Sequence, residues 1–437
     1  MLGYEKEQRS LSGEQKKAIG ILSTGTFLEY FDLMLYVHMA VLLNKLFFPP
    51  TDPFTSSLFT ALAFCSTYIL RPLGALIFGW IGDTIGRRTT VIITTFLMSI
   101  CCIIMANLPT YEEKGLAVSV IITLCRAIQG ILSMGEVVGA EIYLTEMISP
   151  PIRYVAVAVV SIFATLGGTA ALGVASLVTS QGFSWRTVFW IGAAIALVGT
   201  TARKSLRETP EFADAKRQLK KSLEVTNQDL SIIKNNPVIK TRLLNKNFLA
   251  YFLIECCWPV MFYFIYVYCG EVLERVFNYT PTQVINHNFF ISLVNLCGFI
   301  ILTFLSYWIY PLKILKVKFW AFIICTVTIP YCLSIMTSPT QLFILQSIVI
   351  LFVSDSMPAA PIFYKHFPIF KRFTSATLTY ALSRAIMYVV VSFGLVYLTK
   401  FFNYWGLFII FALVATGFAI GLSHFEKVEK EAGNYPL

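Results

Sequence analysis

Arg71-Pro72-Leu73-Gly74-Ala75-Leu76-Ile77-Phe78-Gly79-Trp80-Ile81-Gly82-Asp83-Thr84-Ile85-Gly86-Arg87-Arg88 decides the fold. An arginine opens an apolar run containing several glycines, and the run stops at an aspartate, a glycine and two arginines. Such a run followed by a charged turn reads as the end of one membrane span and the hinge into the next. At ~1.5 Å per helical residue, Arg71 would sit ~18 Å from Asp83, deep inside a bilayer.

The rest of the chain agrees. Of 437 residues 57% are hydrophobic and 13% charged, with a mean hydropathy of +0.70, so a folded chain would expose too much apolar surface for a soluble protein. Allowing ~20 residues per span leaves room for roughly a dozen. The apolar runs fall at about 18–47, 55–81, 89–108, 115–145, 154–180, 186–203, 247–274, 286–311, 317–336, 340–364, 373–400 and 404–424. The expected fold is all-α and polytopic, with twelve transmembrane helices in two six-helix bundles. A tail (1–17) precedes the first bundle (18–203), a charged linker (204–246) joins it to the second (247–424), and a short tail (425–437) follows.

With the N-terminus cytoplasmic, only Lys45, Lys114, Arg186, Arg275 and Lys400 fall on the outer side, so the net charge of +10 concentrates on the cytoplasmic face and predicts both termini inside. That distribution serves a bilayer, not nucleic acid. The ten cysteines all lie in apolar runs without metal-ligand spacing and read as packing thiols. No Gly-x-Ser-x-Gly, His-Glu-x-x-His or phosphate loop stands in a credible context, so no enzyme and no cofactor is expected. The N-terminal tail has no apolar core and predicts no cleavable signal; the brevity of the C-terminal tail predicts no appended domain.

A charge at the bilayer centre costs ~2.5–3.5 kcal/mol even on lenient scales, so each buried one needs a partner or a polar cavity. Glu29 and Asp32, at i and i+3 on span one, lie ~18–22 Å from Lys17, level with Arg71; Tyr36 continues their face. Mutual repulsion and burial against a nearby arginine can leave one carboxyl exchanging a proton near neutral pH, while the alternative is a structural bridge. His38 is a candidate relay or a wall residue. Span four carries Arg126, Gln129 and Glu136, with a lining or gating role as open as a structural pair, and Glu141 and Glu146 read as solvated or loop-pairing. In the second half Glu255, Asp355 and Arg384 stand ~13–18 Å from their cytoplasmic ends, and an Asp355–Arg384 pair is expected. Trp258, Tyr263, Tyr266 and Tyr268 suit a cavity for a cation or zwitterion; Pro259 and Pro330 are candidate flex points.

These residues make a pattern. Phe27-Leu28-Glu29-Tyr30-Phe31-Asp32, Arg71-Pro72-Leu73-Gly74-Ala75 with Gly82-Asp83-x-x-Gly86-Arg87-Arg88, Arg126-x-x-Gln129-Gly130 with Gly135-Glu136, and Leu206-Arg207-Glu208-Thr209-Pro210-Glu211-Phe212 occur in order. Together they resemble the metabolite:proton symporter branch of the major facilitator superfamily. The resemblance implies a monomeric, multi-pass inner-membrane importer of a small organic solute, such as proline, glycine betaine or a carboxylate, with H+ as driving ion. It assigns the proton and substrate roles to Glu29, Asp32 and Arg71, and a gate locking the cytoplasmic side to Gly79, Asp83, Gly86, Arg87, Arg88 and Arg153.

The second half departs from that pattern: the repeat of the signature loop is Ser306-Tyr307-Trp308-Ile309-Tyr310-Pro311-Leu312-Lys313, without the aspartate or the Gly-Arg-Arg. Thr26 and Met134 also stand where the family has Asn and Gly. Two alternatives remain: a drug or metabolite:proton exporter, although span five has Gly167, Gly168 and Gly173 without the antiporter proline, and a transporter-like receptor.

Overall fold

In lipid no water satisfies backbone amides, so apolar runs of this length must close their hydrogen bonds internally as helices. The computed structural model describes residues 7–48, 68–181, 184–203, 209, 213–214, 217 and 245–435. In the first half these form α1 (Gly13–Phe47), α2 (Arg71–Thr84), α3 (Arg87–Asn107), α4 (Leu116–Met147), α5 (Ile152–Gln181) and α6 (Trp185–Arg203). The second half forms α7 (Lys246–Phe277), α8 (Pro281–Trp308), α9 (Pro311–Ile335), α10 (Pro339–Phe352), α11 (Arg372–Phe402) and α12 (Trp405–Glu431). There is no strand among the described residues. The expected 55–67 part of span two, the motif around Thr209 and nearly all of the linker lie outside them.

Local chemistry sets several of the ends. Asn278 takes a left-handed conformation to stop α7, and Thr280 with Gln283 then forms a capping box for α8, with Pro281 at its first turn. Ser338, Pro339 and Gln341 repeat the device for α10. Gly86, at φ 150°, forms the turn between α2 and α3, a conformation side chains rarely adopt.

One expectation about the helices changes. The run 340–364 is not one span: α10 ends at Phe352, Val353–Ser356 leaves helical geometry, and Ala360–Lys365 forms a separate short helix. Pro358 and Pro361, with neither an earlier helical amide to offer, account for the break. α7 is interrupted too, after Glu255 and through a π-helical segment, Tyr263–Tyr268, following Pro259. Lys318, at the start of the run 317–336, is buried inside α9.

Within the first half α1 packs along α5, α3 along α6, and α2 against α4; in the second, α12 packs against α7 and α9. The halves meet where α5 lies along α8 and α11 crosses α2 and α4. Large apolar side chains such as Trp80, Phe304, Val317 and Trp320 point outward, as lipid-facing residues must. Without a hydrophobic drive between helices in lipid, close backbone approach supplies the attraction. A Cβ on Gly74 would stand 2.1 Å from the carbonyl oxygen of Ile131 on α4. Gly74→Val is therefore expected to destabilise the first half by roughly 1–3 kcal/mol, read as a lower melting temperature of the purified protein.

Candidate functional site

The signature stretch closes one end of the molecule. Asp83 accepts from the backbone amides of Phe373 (3.1 Å) and Thr374 (2.8 Å) and from the Thr374 hydroxyl (2.7 Å), so its carboxylate sits on the N-terminus of α11. The unpaired amides and dipole of a helix N-terminus favour an anion there. Gly79 and Gly82 make the approach possible: a Cβ would meet the Thr374 backbone at 2.7 Å or the Phe373 ring at 2.7 Å. Gly139 on α4 faces the same ring, which gives one of the two span-four glycines its purpose.

Arg87 is wholly buried behind this contact. It donates to Glu146 at 3.1 and 3.2 Å, to the Gly82 carbonyl at 2.5 Å and, across the halves, to the Ile369 carbonyl at 2.7 Å. Glu146 also accepts from Arg372 (3.0 Å) and from the Thr209 hydroxyl (2.7 Å). Two arginines from opposite halves thus share one carboxylate, and Glu146, expected to be solvated or loop-pairing, is a buried partner of both. Arg88 is half-buried beside it, and Arg153 donates to the Ile148 carbonyl at 2.5 Å within its own half.

A cavity with about 600 Å³ of empty volume lies between the halves. Arg71 and Tyr68 form one wall; Trp258, Phe262 and Tyr266 from α7 face them, with Arg384 and Tyr388 from α11. The Arg71 guanidinium lies 4.6 Å from the Tyr68 ring centroid, is almost fully buried, and its Nε and Nη2 donate to no acceptor among the described residues. A buried guanidinium with idle donors has the charge and hydrogen-bonding capacity to pair with an anion. On the gate side the hydroxyls of Tyr30 (α1) and Tyr380 (α11) meet at 2.9 Å and form a floor.

Behind Arg71, within the first half, a smaller cavity is lined by Glu29, Arg71, Arg126 and Gln129. Arg126 donates to Gln129 at 3.0 Å. The structure therefore brings Glu29 and Arg71 together as depth counting suggested, and adds Arg126 from span four. The side chains of Asp32, Tyr36, His38 and Glu136 lie outside the described ones.

In the second half the expected Asp355–Arg384 pair is not made. Arg384 donates to Glu255 at 2.5 Å and lies 3.3 Å from the Tyr380 ring centroid, while Asp355 pairs with Lys318 at 2.8 Å. The physical reason is the break after Phe352: it takes Asp355 off the helix and toward α9, leaving Arg384 to the carboxylate on α7. Of the aromatic quartet on α7, Trp258 and Tyr266 line the central cavity; Tyr263 and Tyr268 do not. Of the unexpected participants, Tyr30, Tyr380, Glu146 and Arg372 are polar or charged residues at helix ends or in otherwise apolar spans, a signal the sequence carried, whereas Phe373 and Thr374 carried none.

The model of the Major Facilitator Superfamily matches residues 19–368. A proline/betaine transporter of Salmonella typhimurium (strain LT2) is 32% identical over 209 residues, 46% of this chain and 41% of the relative. A glycine betaine/proline/ectoine/pipecolic acid transporter, OusA of Dickeya dadantii, is 28% identical over 299 residues, 65% of this chain and 57% of the relative. These matches cover less than two thirds of each relative's length. Among solved structures the MFS proton:xylose symporter XylE superimposes with a TM-score of 0.75 at 13% identity, covering 92% of this chain and 94% of that one.

Proposed function

Because the chain belongs to the major facilitator superfamily, we propose that it is a secondary transporter carrying a small zwitterionic or anionic organic solute by proton symport. The observation that carries this reading is Arg71, buried at the wall of the central cavity with two donors unused. A solute carboxylate fits there as a charge-assisted, two-pronged partner. Across the cavity Trp258, Phe262 and Tyr266 offer ring faces, which suit an aliphatic ring or a substituted ammonium through cation–π attraction. Relatives whose names include proline and betaine carry both features on one solute.

Alternating access follows from the two-half design. In the state described, Asp83 and the Arg87–Glu146–Arg372 cluster hold the gate end shut. Loading the solute and a proton, then separating α11 from α2 and α4, would expose the cavity to the other side. Glu29 is the proton carrier in this scheme, since it shares a small cavity with Arg71 and Arg126 directly behind the solute wall. Binding a carboxylate at Arg71 weakens that arginine's hold on Glu29's charge, so solute and proton favour each other. In this reading the protein acts as a monomer in the inner membrane with both termini and the gate end cytoplasmic, an orientation that the Lys and Arg distribution supports.

The test is proton-gradient-driven uptake into proteoliposomes over a panel of proline, betaine and mono-, di- and tricarboxylates. Wild type is expected to accumulate at least one of these only while the gradient stands. Glu29→Gln is expected to cut gradient-driven accumulation roughly tenfold while solute exchange at equal pH persists. Accumulation that ignores the gradient in wild type would move the protein to uniport.

A further inference from the structure

On the gate side of the Tyr30–Tyr380 floor lies a second chamber of about 640 Å³. It sits at the junction of the halves: Glu141 on α4 lines it from one, Glu255, Asp355 and Tyr364 from the other, and Arg384 shares it with the central cavity. Nothing in the transport scheme above uses it.

Its charges do not balance. Asp355 is matched by Lys318 and Glu255 by Arg384, through Oε2 only; Oε1 of Glu255, a residue only 3% exposed, has no hydrogen-bond partner. The third carboxyl, Glu141, is buried as well, and its Oε2 accepts from the Tyr364 hydroxyl at 2.5 Å, while Tyr364 accepts from Tyr251 at 3.2 Å. Those donors are neutral. Three carboxyls against two cations leave one negative charge uncompensated in a low-dielectric interior, which burial strongly disfavours. The other ionisable groups facing the chamber, Tyr30 from α1, Tyr251 from α7 and Tyr380 from α11, supply no positive charge.

We propose that this chamber is a second proton site, in which Glu141 carries the proton and Glu255 faces it as the acidic neighbour. Protonation neutralises the surplus charge and needs no coordination shell. The bound proton forms an O–H on the Glu141 carboxyl, and the unmatched Oε1 of Glu255 is an acceptor of suitable charge on the opposite wall. Because Tyr364 and Glu255 belong to one half and Glu141 to the other, rocking the halves apart removes Glu141 from both and admits water. The proton then leaves to solvent. The site's hold on its proton therefore depends on which side is open, which is what coupling requires. The inference uses the rocking of the halves but not the identity of the solute or the role of Glu29.

Infrared difference spectroscopy of the full chain in lipid vesicles, titrated from acid to alkaline buffer, reads the carboxylic C=O stretch directly and needs neither solute nor gradient. Wild type is expected to show a band of a buried, protonated carboxyl that is lost in Glu141→Gln and kept in Glu29→Gln. Tyr364→Phe keeps every carboxyl and deletes the hydrogen bond to Glu141, so the same band is expected to persist at a higher wavenumber. That variant decides the matter should Glu141→Gln fail to fold. A wild type without any band that Glu141→Gln removes, as a bound Na+ would produce, overturns the proposal; so does a Glu141-dependent band that Glu29→Gln also removes or that fails to move in Tyr364→Phe. Loss of uptake in the flux assay would leave this result intact, so the two readings fail separately.

Discussion

Arg71→Gln lowers uptake of the carboxylate-bearing solute by about 100-fold. The guanidinium is nearly fully buried, its Nε and Nη2 are unused, and the Tyr68 ring holds its plane against the cavity wall. Removing one partner of a buried charge-assisted contact costs roughly 2–5 kcal/mol, and about 1.4 kcal/mol corresponds to a tenfold change. Gln keeps the length and one amide donor but neither the charge nor the fork, and Lys restores charge without the fork, so Arg71→Lys is expected between the two. Solute binding by calorimetry and initial uptake rates check it together. Uptake within about threefold of wild type would move the carboxylate contact elsewhere in the cavity, with Arg384 as the remaining guanidinium on its wall.

Asp83→Ala opens the gate end. The substitution removes three hydrogen bonds onto one carboxylate and the favourable placement of that charge on the α11 N-terminus. A loss of about 3 kcal/mol from the closed state changes the closed-to-open ratio by about 100-fold. Ser161→Cys, lining the gate-side chamber, provides the readout. A membrane-impermeant maleimide added from the gate face should label it slowly in the parent and at least tenfold faster with Asp83→Ala. Asp83→Asn, which keeps an accepting oxygen without the charge, should fall between them. Equal labelling in all three would show that the Arg87–Glu146–Arg372 cluster closes the gate without Asp83.

Much of the site was legible because membrane burial makes charge conspicuous. Glu29, Arg71 and Arg126 stand out as rare ionisable residues in apolar runs, and the structure gathers all three around one small cavity. Asp83 and Arg87 were legible for a different reason: glycines at 79, 82 and 86 flanking an aspartate mark a turn against which something packs closely. What packs there was not legible. Phe373 and Thr374 are ordinary residues at the start of α11, and their role comes only from standing opposite Asp83, 290 and 291 positions away in the chain.

The second half shows the limit most clearly. Depth counting treats each run as one straight helix, which fails for 340–364, where the chain leaves helical geometry after Phe352. An error of a few residues along a helix rotates a side chain to another face, because each residue turns the helix by about a quarter of a circle. Asp355 therefore meets Lys318 and not Arg384, and Arg384 meets Glu255. Glu141 and Glu146 read as solvated or loop-pairing for a related reason: their distance from the end of span four is short, but α11 and the short helix Ala360–Lys365 cover that end.

By itself the sequence determined the helical, multi-span fold, its two halves and the set of ionisable residues placed within the spans. Composition and the roughly 20-residue thickness of a bilayer impose those, one segment at a time. Tertiary structure alone decided which carboxyl meets which cation, that Arg71 faces the solute cavity with donors to spare, and that a tyrosine pair divides the path into two chambers. Each of those depends on the rotation and tilt of helices from opposite halves, and such relations are set by packing between segments far apart in the chain.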